Sequence, residues 1–221
     1  ATALLLRVME ERNFTLGVAY SKTEVIQVAV FGAVFLGDPI TPLSVLAIVL
    51  ATVGVLLLSP VDRQRPLASF LTGWTSRTAV LGFISGAGFG LAATAYRGAS
   101  LTLETGTDFV MAAAYTLVWS QFTQSLQLGG WLLWRNPQAL VVVIREWRRS
   151  LLAGFMGAAA SGGWFTAMAI EPVAHVRTLG LVELLFSMAL SRRMFRERLS
   201  PLELTGIAVL TLGLVAITQG K

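Results

Sequence analysis

The chain of 221 residues is far more apolar than a soluble globular domain. Hydrophobic residues make up 55% of it and charged residues only 13%, whereas about 25% charged residues is usual in soluble domains. This composition favours lipid as the solvent. The net charge of +5 is carried mostly by arginines between apolar runs, which fits lipid headgroups better than nucleic acid. With no cysteine and a single histidine, disulfides, thiolate chemistry and histidine metal clusters are excluded.

The apolar runs, taken in chain order, predict an all-α, polytopic membrane bundle. A helix needs about 20 mostly apolar residues to cross the hydrocarbon. Full spans are predicted at residues 15–36, 42–58, 78–98, 109–134, 150–170, 176–195 and 202–218. With the apolar piece at residues 1–9, taken as the end of an earlier helix, this gives about seven to eight spans. Residues 136–150 alternate aliphatic side chains with arginines and are predicted to lie in the membrane interface.

The chain contains an internal repeat. Glu24 falls on Glu183 when the sequence is shifted by 159 residues, and about 35 positions then align without a gap. Other aligned pairs are Asp38 with Glu197, Thr41 with Ser200, Pro42 with Pro201, Ile48 with Ile207, Thr52 with Thr211 and Gly54 with Gly213. Apolar bias alone does not explain the shared acid-turn-proline stretch or the shared glycine.

The repeat predicts how the chain is organised. Residues 1–59 form the C-terminal part of a first repeat, residues 60–76 a linker, and residues 77–221 a complete second repeat of five spans. We therefore expect a 5+5 arrangement of ten spans, with the first helices missing from this sequence. Secondary transporters are often built from two repeats that rock about a shared site. A purely architectural duplication is the alternative.

The repeated turn carries a family resemblance. Residues 35–42 are F-L-G-D-P-I-T-P and residues 195–201 are F-R-E-R-L-S-P, and each leads into a helix with a late glycine. In this the chain resembles the EamA-type repeat of the drug/metabolite transporter (DMT) superfamily. The resemblance implies a ten-helix basket in the cell inner membrane. It also implies export or exchange of metabolites, amino acids or amphipathic drugs by alternating access, without nucleotide hydrolysis. Asp38 replaces the more usual glutamate, and Arg196 a common glycine.

Glu24 and Glu183 are the most informative candidates for a functional site. Each lies inside a predicted span, where a carboxylate costs roughly 2.5–3.5 kcal/mol on insertion scales. One hypothesis is proton coupling or recognition of a cationic group, because an apolar setting favours the protonated acid. The other is structural neutralisation by a base such as Lys22 or Arg177. Neither base faces the acid on its own helix, so each needs a partner elsewhere, and snorkelling is expected for Arg177.

Other candidate contacts to a substrate are aromatic and polar residues on the predicted spans. Tyr20 and Gln27 share a helical face with Glu24, and this mixture suits a cavity wall better than a lipid contact. The remaining candidates are Trp119, Gln124, Trp164 and His175. A lone histidine near a helix start is more often simply hydrogen-bonded. The expected partners are a small-molecule substrate, the lipid bilayer and protons, with the oligomeric state left open.

Two stripes of small residues predict close helix packing, because small residues let helix backbones approach each other in lipid. The first consists of Gly82, Gly86, Gly90, Thr94 and Gly98, and the second of Gly154, Ala158 and Gly162.

No motif for an enzyme is found in the sequence. There is no phosphate-binding glycine loop, nucleophile elbow or metal-binding helix motif, so no catalytic residue, metal or cofactor is predicted. A membrane enzyme acting on lipid-linked substrates stays open as an alternative, and so does a non-transporting fragment. The enzyme would need acids and histidines clustered at the interface, but Glu104 and Asp108 have no accompanying histidine.

Overall fold

The protein is helical throughout the part that the structure describes. This computed structural model describes residues 1–10, 20–58, 76–103, 108–195 and 200–220. The helices there are α1 (Thr2–Glu10), α2 (Glu24–Phe31), α3 (Pro42–Leu58), α4 (Arg77–Leu103), α5 (Phe109–Arg135), α6 (Pro137–Arg145), α7 (Trp147–Ile170), α8 (Val173–Gly180), α9 (Val182–Phe195) and α10 (Pro201–Gln219). A π-helical segment, Gly32–Leu36, continues α2. The predicted all-α class is confirmed for these residues.

Several helices are suited to a membrane. Four helical stretches in the described ranges are long and apolar enough to cross one, judged by length and composition: Arg77–Leu103, Ser150–Ile170, Val173–Leu190 and Pro201–Gln219. The stretches Glu24–Leu36 and Pro42–Leu58 are apolar but shorter. Helix α5 is long, but it is not among the four, and it carries three glutamines in its middle. These findings indicate a membrane protein, with four of the seven predicted spans meeting both criteria.

Large apolar side chains point outward along most of these helices. Examples are Val49 on α3, Phe83 on α4, Phe155 on α7 and Leu212 on α10, all exposed. In water such a surface would drive aggregation, whereas in lipid it carries no penalty. The short helix α6 fits the predicted interfacial segment, because its nine residues span only about 13.5 Å.

The chain divides into two compact units. The first comprises Ala1–Ala95 and Pro172–Lys221, and the second Tyr96–Glu171. The first therefore contains α1 to α3, most of α4 and α8 to α10, while the second contains the end of α4 and α5 to α7. The predicted boundaries at residues 59 and 77 concern the sequence repeat and stay a prediction. Nearly all of the predicted linker, residues 60–75, lies outside the described residues.

Helices α3 and α10 form the core of the first unit and pack through glycines. A Cβ added to Gly54 would lie 2.5 Å from the backbone nitrogen of Leu210, and one added to Gly213 would lie 2.6 Å from that of Ala51. Leu210 and Ala51 are fully buried. The 159-residue shift aligns the two glycines with each other and Ala51 with Leu210. The two contacts are therefore the same contact with the helices exchanged.

The same two helices also begin alike. Each has proline as its first residue, preceded by a hydroxyl side chain that caps the helix. Thr41 Oγ1 accepts from Ser44 N at 3.1 Å, and Ser200 Oγ accepts from Glu203 N at 3.2 Å. In α10, Glu203 also accepts from the backbone N–H of Ser200 at 2.7 Å, which completes a capping box. The hydroxyl-proline pairs of the sequence therefore act as helix starts.

The turn before α3 depends on a left-handed glycine. Gly37 has φ +69°, a conformation that side chains other than glycine rarely adopt. It ends the π-helical segment, and the backbone N–H of Asp38 donates to the carbonyl of Gly32 at 3.1 Å. The corresponding second turn, with Arg196 and Glu197, lies outside the described residues.

One of the two predicted glycine stripes packs as expected. A Cβ on Gly86 would lie 2.8 Å from the carbonyl oxygen of Ser21, and one on Gly90 would lie 3.0 Å from Val28, so α4 closely approaches α2 and the residues just before it. The second stripe packs only at one end: a Cβ on Gly162 would lie 3.7 Å from the Leu117 side chain, whereas a Cβ on Gly154 would have no described neighbour within 4 Å, and residues 151–160 are exposed. Spacing identifies a small-residue face but does not tell which surface covers it.

Candidate functional site

Two helical runs of the first unit are interrupted beside the predicted acids. Residues 22–23 form a turn before α2, and Leu181 separates α8 from α9. At both breaks a backbone N–H donates to the carbonyl three residues earlier, instead of four as in an α-helix. Thr23 N donates to Tyr20 O at 3.1 Å, and Leu181 N donates to Thr178 O at 3.0 Å. The breaks lie within one residue of the positions that the predicted repeat aligns. Glu24 directly follows the first break, and Glu183 lies two residues after Leu181.

Side-chain hydroxyls compete with the backbone at both breaks. Thr23 Oγ1 donates to the carbonyl of Tyr20 at 2.6 Å, and Thr178 Oγ1 donates to that of Ala174 at 2.6 Å. Such local bonds weaken a helix ladder. The breaks place Glu24 and Glu183 in the first turn of the helices that follow. The unpaired N–H groups and the helix dipole favour a negative charge at that position.

The acids pair with bases from the other interrupted run. Arg177 Nη2 donates to Glu24 Oε1, and Lys22 Nζ lies 2.9 Å from Glu183 Oε1. Both bases thus have partners on another helix, which was one of the options drawn from the sequence. The expectation that Arg177 snorkels is wrong, because its guanidinium reaches an acid 153 residues away in the chain. Only the tertiary packing brings these groups together.

The two ion pairs differ in exposure. The side chains of Glu24 and Arg177 are 10% and 25% exposed, whereas those of Lys22 and Glu183 are 29% and 57% exposed. We call Glu24–Arg177 the inner pair and Lys22–Glu183 the outer pair. An exposed pair typically contributes 0–1 kcal/mol, whereas removing one partner of a buried pair is more costly. The inner pair is therefore the stronger structural constraint.

Tyr20, just before the turn at residues 22–23, and Gln27 on α2 are both buried, as Glu24 is. Gln27 Nε2 donates to Phe83 O at 3.4 Å and lies 3.3 Å from Thr23 Oγ1. Its other amide atom, Oε1, is buried and has no hydrogen-bond partner among the residues that the structure describes. An orphaned acceptor of this kind calls for an explanation.

His175 takes part in a separate network. Its Nε2 lies 3.0 Å from Ser44 Oγ, which also contacts Thr41 Oγ1 at 2.8 Å and Gly220 O at 3.1 Å. The network joins the start of α3, the end of α10 and α8. This matches the hydrogen-bonded role weighed for a lone histidine, and a contact to substrate stays a prediction.

The second unit contains a groove that includes two predicted contacts, Trp119 and Gln124. The groove has a volume of about 420 Å³. It is lined by Tyr96, Ala99, Leu103, Tyr115, Thr116, Trp119, Ser120, Thr123, Gln124 and Gln127. Gln124 Nε2 donates to the hydroxyl of Tyr96 at 2.9 Å. These rings, hydroxyls and amides fit an uncharged amphipathic molecule. Trp164 is partly exposed on α7 and is not one of these lining residues.

Arg97 is a buried charge that the sequence reasoning did not single out. It is 8% exposed, and its Nη1 donates to the carbonyls of Met168 and Glu171, both at 2.7 Å. It thereby binds carbonyls at the end of α7 that the helix leaves unpaired. The signal that was available is its position inside the predicted span 78–98, where a charge needs a partner.

Comparisons with family models, with curated proteins and with solved structures find no match in any of the three. The EamA-type resemblance therefore rests on the repeated turn alone. Within the described ranges, no group of three or more histidines and acids is placed to hold a metal ion.

Proposed function

We propose that the chain is a multi-pass inner-membrane secondary transporter of the EamA type, in the DMT superfamily, exporting or exchanging small molecules by alternating access. The observation that carries the proposal is the pair of helix breaks, each followed by an acid that binds a base from the other run. Interrupted membrane helices at corresponding positions of two repeats commonly form the substrate site of secondary transporters.

The packing of α3 on α10 supports the repeat on which this proposal depends. The contacts Gly54–Leu210 and Gly213–Ala51 interchange under the 159-residue shift, and both helices begin with the same capped turn. Two copies of one ancestral unit facing each other would produce this reciprocity, as in an isologous interface.

The charge arrangement supports a site that can exchange partners. Two acids and two bases are balanced in one cluster, so the cluster tolerates an apolar setting only while each charge has a partner. In the proposed cycle a charged group of the substrate replaces one protein partner, and movement at the two helix breaks separates the outer pair. Proton binding by Glu24 and Glu183 is the coupling that we propose.

Transport is tested in proteoliposomes loaded with a pH-sensitive dye. Amino acids, small carboxylates and amphipathic amines are added one class at a time under an imposed proton gradient. We expect at least one class to give a saturable, gradient-dependent signal that Glu24→Gln and Glu183→Gln abolish. The exposed Glu10 on α1 provides the matched control, Glu10→Gln. Absence of a signal from all three classes would contradict the proposal.

Movement of the outer pair is tested by cross-linking. The chain has no cysteine, so Lys22→Cys/Glu183→Cys places two unique thiols. We expect bifunctional thiol reagents of several lengths to join the two thiols, because the two positions move apart and together. Cross-linking by only the shortest reagent would show that the two positions do not separate.

A further inference from the structure

We infer that Gln27 stabilises the protonated form of Glu24, and that this releases Arg177 to bind a carboxylate of the substrate. The substrate part of this inference rests on the proposed transport function. The proposed hydrogen bond between Gln27 and protonated Glu24 does not, and it is tested without transport.

The orientation of the Gln27 amide is set by its surroundings. Phe83 contributes a backbone carbonyl, which can only accept, so the amide atom 3.4 Å from it is the donor Nε2. The side chain leans back along α2, because Nε2 also lies 3.3 Å from Thr23 Oγ1. Oε1 is therefore the acceptor left over, on a residue that is only 8% exposed.

A protonated Glu24 is the donor that this acceptor lacks. The two residues are three apart on α2, so their side chains are neighbours on one helix face. An ionised carboxylate only accepts and cannot satisfy Oε1, whereas a carboxylic acid has one O–H to donate. A hydronium ion gives its proton to the Glu24 carboxylate and leaves as water, and the resulting O–H turns to Gln27 Oε1. Arg177 keeps its charge, while Glu24 loses the negative charge that faces it.

The charges around Glu24 determine which kind of ligand can replace its carboxylate as the partner of Arg177. Arg177 approaches from α8, Lys22 from the turn before α2 and Glu183 from α9, while α4 presents the uncharged Gly86. Among these four described side chains, protonation of Glu24 leaves two positive charges and one negative charge. An anion restores the balance, and a cation does not. Arg177 already binds a carboxylate, and its fork suits another one. One proton would accompany each singly charged anion.

Infrared difference spectroscopy on the purified protein tests the contact directly. Lowering the pH should produce a carboxylic-acid C=O band that Glu24→Gln removes, which assigns it. We expect Gln27→Leu to shift the frequency of this band, because the acid loses its hydrogen-bond acceptor. The exposed Gln138 on α6 provides the control, Gln138→Leu, which should leave the band in place. An unshifted band in Gln27→Leu would overturn the inference.

A merely structural role for Gln27 gives a different result. It would lower thermal stability through the lost bond to Phe83 and leave the Glu24 band where it was. Where Gln27→Leu does not fold, Gln27→Met keeps an unbranched side chain and serves for the same comparison.

Release of Arg177 is tested by chemical modification with phenylglyoxal, read for that residue by mass spectrometry. Glu24→Gln imitates the neutral acid, so we expect Arg177 to react about tenfold faster than in the unmodified sequence, as loss of a charged hydrogen bond predicts. Benzoate should slow the reaction, and the neutral isostere benzamide should not. Equal reaction rates would overturn the release, and equal effects of benzoate and benzamide would overturn the carboxylate site. Neither readout needs flux, so a failure of transport is distinguishable.

Discussion

Lys22 and Glu183 form an ion pair with an N–O distance of 2.9 Å, although 161 residues separate them in the chain. Lys22 lies in one of the two helix breaks, and Glu183 lies two residues after the other. The pair is partly exposed, so it contributes little to stability, about 0–1 kcal/mol. A charge pair of such small energetic value suits a contact that opens and closes.

Exchanging the charges of the outer pair should separate its role in transport from its role in folding. We expect Lys22→Glu and Glu183→Lys each to reduce flux about tenfold or more, because like charges then face each other. The double exchange should recover most of the flux. Flux in proteoliposomes and melting temperature in detergent are measured together. A double exchange no better than either single change would show that the two charges act separately.

The inner pair should affect stability more than the outer pair. Glu24→Leu or Arg177→Leu alone leaves a charge without its partner, and we expect each to destabilise the protein by about 1–3 kcal/mol. The double replacement removes both charges and should be close to the unmodified protein in stability. The measurement is unfolding in mixed micelles. Additive losses in the double variant would mean that the two side chains do not stabilise each other.

The glycines between α3 and α10 should not tolerate a methyl group. A Cβ on Gly54 or Gly213 meets backbone atoms at 2.5–2.6 Å, so Gly54→Ala and Gly213→Ala should each cost about 1–3 kcal/mol, as overpacking does.

The matched control for these two changes is Gly157→Ala on α7, where a new Cβ has nothing within 4 Å. There the better helix propensity of alanine should raise stability by about 0.5–1 kcal/mol. Opposite signs of the melting-temperature change are the expected result. A stabilised Gly54→Ala variant would contradict the close approach.

We expect an arginine at position 97 to be required for the full stability of the protein. Its guanidinium serves two carbonyls at the end of α7, so Arg97→Leu should destabilise the protein by about 1–3 kcal/mol. Arg97→Lys should recover only part of that loss, because an ammonium lacks the planar fork. The exposed Arg145 at the end of α6 is the control, and Arg145→Leu should change the melting temperature little. Equal effects at both positions would assign no special role to Arg97.

The sequence was sufficient for some features because their causes are local. Apolar runs predicted the helices, and the hydroxyl-proline pairs at Thr41 and Ser200 are the caps of α3 and α10. Each of these depends on residues within a few positions of each other.

Other features depend on packing and were not predictable. The partner of Arg177 lies 153 residues away, and the interruption at residues 22–23 has no proline or glycine to mark it. The open face at Gly154 has the same spacing as the packed face at Gly86. Which helix approaches which face is a property of the whole fold, and a single sequence pattern does not contain it.

The reciprocal contact of α3 with α10 has a consequence for motion. Each glycine lets the facing helix approach until backbones touch, so the two helices cannot slide along each other without a collision. We therefore expect α3 and α10 to keep their relative position and to move together as a rigid pair. We expect rearrangement within the first unit to occur instead at the two helix breaks, where the turns at residues 22–23 and at Leu181 can act as hinges.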